Sequence, residues 1–175
     1  MPTAPLKPLA TVAWAQLLVF FDFRIDGLDL IPDPLGWVVS AVALGTLATL
    51  HVGFQVAGVA CWVAALPSVV DMIDGGQPLV TTIVTIATLV FVFATCTAIM
   101  PVVPERAASA NALRWTDLAL TFALIPLVFA ARTAGDFAAL AVIGVIAALA
   151  VFVWFLVLLF QTAKLTPGRA PEAAR

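Results

Sequence analysis

Six long apolar runs divide the chain, and its polar residues gather in the short breaks between them. A helix needs roughly 20 residues to cross a hydrocarbon core about 30 Å thick. The runs near 8–24, 34–50, 54–73, 79–100, 115–131 and 137–163 approach or exceed that length. Pro34 suits the first turn of the second helix with Asp33 as its cap. The stretch 35–73 has only His51 and Asp71 as titratable groups, and as one helix it would extend to about 58 Å, too long for one crossing. It must therefore fold back, and His51-Val52-Gly53 is the expected turn. The third run closes at Asp74-Gly75-Gly76-Gln77-Pro78, and the fourth ends at Pro101. Residues 104–111 are expected as a polar loop. The fifth run is short and contains Pro126, whereas the sixth is unbroken, with Asp136 before it and Lys164 after it. The pattern predicts an all-α, polytopic transmembrane bundle: one domain over 1–165, and a disordered cytoplasmic tail over 166–175 whose Pro, Gly and Ala residues cannot build a core.

The loop charges test this threading. With the N-terminus in the cytoplasm, six spans put Lys7, Arg106, Arg114, Lys164, Arg169 and Arg175 inside and leave Arg24 and Arg132 outside. That is the bias the positive-inside rule expects. Dropping the fifth span would move Lys164, Arg169 and Arg175 outside, so six spans with both termini cytoplasmic is the preferred topology. Lys7 before an apolar run imitates a secretory signal, but no small-x-small cleavage site follows, so the first run is expected to be retained.

Composition agrees: hydrophobic residues make up 63% of the 175, charged residues 10%, and mean hydropathy is +1.15. Loops this short leave no room for a soluble catalytic module. The cysteines Cys61 and Cys96 sit in different runs without CxxC spacing, and His51 is the sole histidine, which argues against a metal or redox centre. No cofactor is expected. The basic residues are scattered singly, so nucleic acid is not an expected partner. The expected partners are the lipid bilayer, together with a membrane protein or a second copy of the chain.

Two groups of polar residues carry the candidate chemistry. Asp22, Asp26, Asp29 and Asp33 stand four, three and four apart, a spacing that would line one helix face. Gly27, Pro32 and Pro34 disfavour a continuous helix through them. Several carboxylates at an outer mouth could bind a hard cation; caps, turns and interface residues explain them equally and more simply. Arg24 can pair with the neighbouring carboxylates, and Trp37 is placed for an interfacial aromatic belt. The second group, Thr81, Thr85, Thr88 and Thr95, falls within an arc of about 80° on the fourth run. It could line a polar path, although threonine also bonds its own helix backbone. Asp117, three residues after Arg114 near the inner end of the fifth run, is expected to form a local ion pair, so no carboxylate is expected at mid-membrane depth.

The segment Asp22-Phe23-Arg24-Ile25-Asp26-Gly27-Leu28-Asp29-Leu30-Ile31-Pro32-Asp33-Pro34-Leu35-Gly36-Trp37 resembles the loop joining the first two helices in a family of small multi-span bacterial integral membrane proteins of uncharacterised activity. The shared pattern has the form DFRI, then G, then DxxPD, then G followed by Trp or Tyr. The resemblance implies a fold type and the bacterial cytoplasmic (inner) membrane, and no activity; beyond this loop the match rests on hydropathy. Missing catalytic constellations favour a non-enzymatic accessory or interaction protein. A small transporter or channel with an acidic outer mouth is the alternative, and a lipid-acting enzyme using Asp22, Asp26 and Asp29 with Arg24 on a phosphate is the third.

Overall fold

The computed structural model describes residues 6–20, 24–25, 28–29, 33–74, 77–134 and 138–165, with 24–25, 28–29, 71–74, 125, 127–134, 138 and 141 described by their backbone alone. Within these, the chain is all-α apart from one short hairpin. Its helices are α1 (Pro8–Phe20), α2 (Asp33–Leu47), α3 (Val52–Asp74), α4 (Pro78–Val102), α5 (Ala107–Ala134) and α6 (Ala138–Ala163). Between α1 and α2, β1 (Arg24–Ile25) pairs antiparallel with β2 (Leu28–Asp29), with Arg24 opposite Asp29. Three stretches, Val52–Val70, Pro78–Val102 and Val142–Ala163, are long and apolar enough to cross a membrane, whereas α1 and α2 are apolar but shorter.

The fold-back at His51 has a local cause. His51 Nδ1 accepts the backbone N–H of Gly53 at 2.9 Å, which caps the start of α3. Gly53 then lets α3 approach α4: a Cβ there would lie 2.8 Å from the Ala94 carbonyl oxygen. The expected loop at 104–111 is largely absent. Pro104–Arg106 forms a single 3-10 turn, and α5 begins at Ala107. Its first turns are made of Ala, Ser and Asn, and alanine supplies the helix propensity there that a search for apolar residues overlooks. The early start changes the depth of every residue that follows on α5.

Each helix packs on its neighbours in the chain, and α1 packs on α6 to close a ring. Trp14 meets Phe160 at 5.4 Å and Phe20 stacks on Phe152 at 4.6 Å, so α1 and α6 run antiparallel. In the core, Phe91 of α4 takes edge-on contacts from Trp37 of α2 at 5.9 Å and Phe155 of α6 at 5.5 Å, a favoured aromatic geometry. Trp37 is therefore a core residue, 2% exposed, rather than a member of an interfacial belt. The outside is aliphatic: Val142, Ile143, Val145 and Ile146 on α6 are all exposed. An apolar surface this continuous suits contact with lipid rather than water.

Candidate functional site

A cavity of about 300 Å³ lies among α2, α3, α4 and α5. Its polar lining is Asp33 from the start of α2, Ser68 from α3, Thr81, Thr85 and Thr88 from α4, and Asp117 with Thr121 from α5. Val80, Val84 and Leu89 supply the apolar wall.

Helix register explains why these residues meet. Gly53 on α3 faces Ala94 and Ala98 on α4, and Gly58 faces Ala41 and Leu44 on α2. Counting along the antiparallel pairs from those contacts brings Ser68 level with both Asp33 and Thr81. Phe93 against Trp115 at 5.6 Å sets the register of α4 on α5 and puts Asp117 level with the middle of α4. About 18 Å of helix then extends on either side of that level. The cavity thus runs along α4 from the α2 N-terminus to mid-helix.

Four of the five lining hydroxyls, those of Ser68, Thr81, Thr85 and Thr88, share one chemical state. Thr85 Oγ1 donates to the Thr81 carbonyl at 2.8 Å, Thr88 Oγ1 to the Val84 carbonyl at 2.8 Å, and Thr81 Oγ1 to the Gln77 carbonyl at 3.3 Å. Ser68 Oγ does the same with the Ala64 carbonyl at 2.8 Å. Each of these four hydroxyls spends its single proton on its own helix, as mid-helix Ser and Thr commonly do. What they offer to the cavity is oxygen lone pairs.

Asp117 is half-buried and, among the described residues, makes neither a hydrogen bond nor an ion pair. The expected ion pair with Arg114 is not formed. The Arg114 Nη1 donates instead to Thr97 Oγ1 at 3.1 Å, with the guanidinium carbon 5.2 Å from the Phe93 ring centre and 5.5 Å from that of Trp115. Two aromatic faces and a hydroxyl hold the cation about one helical turn away from the carboxylate. Arg114 is absent from the described lining of the cavity, where no Lys, Arg or His appears.

The structure brings together some of the residues singled out in the sequence and separates others. Thr81, Thr85 and Thr88 line the cavity with Asp33, but Thr95 is fully buried away from it, its hydroxyl without a partner. Trp37 belongs to the aromatic core. Arg24 and Asp29 are paired by backbone in the hairpin; Asp22 and Asp26 lie outside the described residues. Asp117, Ser68 and Thr121 were not among the sequence candidates. Asp117 and Thr121 stand four apart on one face of α5, a signal hidden by starting that helix eight residues too late.

No family model matches the chain, and no curated protein or solved structure matches it either.

Proposed function

We propose that this chain is a multi-pass protein of the bacterial cytoplasmic membrane that binds a small cation in the α2–α5 cavity and passes it toward the opposite side. Its expected arrangement is one domain of six spans with both termini cytoplasmic, of the type the 22–37 loop resembles. The observation that carries the reading is the state of the cavity oxygens: the hydroxyls of Ser68, Thr81, Thr85 and Thr88 already donate to their own helices. With Asp33 and Asp117 beside them, these residues present acceptors and negative charge, and Thr121 adds the one hydroxyl of the described lining whose proton is not committed to its own helix. An ionisable side chain within a membrane bundle costs several kcal/mol unless a partner or function offsets it. Asp117 has no described protein partner, so a cation supplied from outside is the natural one.

The rest of the site divides the work. Asp33 and Thr81 form the access end near the α2 N-terminus, Thr85 and Thr88 form the path, and Asp117 is the counter-ion at its inner limit. Arg114, held on Thr97 between Phe93 and Trp115, places a fixed positive charge just past that limit. A cation stops at Asp117 until that clamp moves. The acidic 22–33 loop, with Asp22, Arg24, Asp26 and Asp29, gathers cations at the mouth.

Reconstitution of the intact chain into vesicles tests this. Inward flux of small cations should exceed that of empty vesicles and fall at least tenfold in Asp117→Asn. Flux no greater than in empty vesicles would leave a second reading, an accessory protein acting by contact. The β1–β2 pairing favours that reading, because it gives Arg24–Ile25 and Leu28–Asp29 a paired backbone on which a membrane partner could dock. A stoichiometric partner recovered after gentle extraction would support it.

A further inference from the structure

Selectivity among cations follows from three properties of the same cavity, and this inference rests on the cation-binding reading above. The first is hydrogen-bond polarity: with the hydroxyl protons committed, Asp117, Thr85, Thr88 and Ser68 can only accept. The second is size. About 300 Å³ is far more than a bare metal ion needs, since even calcium is held by oxygens at about 2.3–2.6 Å. It lies at the lower end of the range for small organic ligands, about 300–1,000 Å³. The third is the wall: Val80, Val84 and Leu89 are aliphatic, and among the described lining there is no aromatic ring. Quaternary ammonium ions are recognised by aromatic cages, which this lining lacks.

We infer that the cavity binds a short aliphatic amine in its ammonium form, with the N–H donors on Asp117 and the Thr88 and Thr85 oxygens and the alkyl body against Val84 and Leu89. An ammonium head has donors that match the acceptors of Asp117, Thr85 and Thr88. Its aliphatic part takes up the remaining volume without needing hydrogen bonds. Tetramethylammonium carries the same charge with no N–H donor, and potassium carries it with no apolar body.

Calorimetric titration of the intact chain in nanodiscs of zwitterionic lipid, with n-butylammonium, tetramethylammonium and potassium at equal ionic strength, tests this directly. Saturable n-butylammonium binding, at least tenfold tighter than that of either other cation, is expected. It should weaken tenfold or more in Asp117→Asn and several-fold in Thr88→Val. Thr82→Val should leave it unchanged, since Thr82 bonds Pro78 outside the cavity. If Asp117→Asn does not fold, as judged by its melting profile, Thr88→Val decides between the outcomes. Equal binding of tetramethylammonium or potassium would overturn the amine selectivity while leaving a cation site in place. n-Butylammonium binding that tolerates both substitutions would overturn the placement of the amine in this cavity. Absence of saturable binding by all three cations would overturn the selectivity and the cation reading together.

Discussion

At the seam between α1 and α2, buried Gln16 donates through Nε2 to buried Ser40 Oγ at 3.0 Å, and Gly36 lets the backbones close until no room is left. In the cavity among α2, α3, α4 and α5, Asp117 and five hydroxyl oxygens line open space instead. Both regions hold polar groups inside an apolar bundle, where an unmet hydrogen bond is costly. The seam meets the cost internally, with one donor matched to one acceptor across a close contact. The cavity meets half of it, through Thr and Ser bonds to their own helices, and leaves a carboxylate for something else. A membrane bundle built for packing alone has every reason to resemble the seam throughout. Under the proposed cation-binding reading, the difference marks where stability has given way to binding.

Gly36 is the sharpest place to break the seam. A Cβ there would stand 2.7 Å from the Ala15 carbonyl oxygen and press on the Val19 side chain, whereas at Gly45, on the same helix, it would meet nothing within 4 Å. Gly36→Ala should lower unfolding stability in detergent by about 1–3 kcal/mol, the usual cost of overpacking. Gly45→Ala should be neutral or raise it by up to about 1 kcal/mol through helix propensity. Equal melting of the two variants would show that α1 and α2 are not in close contact.

The Gln16–Ser40 bond should have a smaller effect. A double-mutant cycle with Gln16→Leu and Ser40→Ala should return a coupling of about 0.6 kcal/mol, near the average for interhelical bonds in membrane proteins. Coupling indistinguishable from zero would mean that the seam is held by packing alone. Opposite in sign should be the stability effect of Asp117→Asn, a gain rather than a loss, because among the described residues no bond or ion pair is lost and an unpartnered charge is removed. A loss of several kcal/mol would identify Asp117 as structural and remove the contrast between the two regions.

Of the candidate site, the threonine stripe was the most legible part. Thr81, Thr85 and Thr88 recur at helical spacing, and helical spacing is enough to put them on one face. The same rule included Thr95, which helix packing turns into the core: Phe91, one turn earlier, anchors that side of α4 against Trp37 and Phe155. Asp117 was misplaced for a different reason. Polar residues at 104–111 look like a loop, yet the alanines among them carry α5 back to Ala107, and Asp117 moves from the helix end to mid-depth. Gly36 entered only as part of the loop pattern, without a packing role, since a lone glycine shows its purpose only once a neighbouring backbone is beside it.

The alternation of apolar runs with short polar breaks determined by itself that this chain is a helical membrane protein, because hydrocarbon leaves the backbone of each run only internal hydrogen bonds to make. It also determined the fold-back at His51, since a helix through 35–73 would overrun any bilayer. Only the tertiary structure decided which polar residues share a cavity. That depends on the register of one helix against the next, set by contacts as distant in sequence as Gly53 with Ala94 and Phe93 with Trp115. Periodicity orders residues around one helix axis and is silent about the sliding of two helices past each other. A shift of a single turn there would separate Asp117 from Thr88.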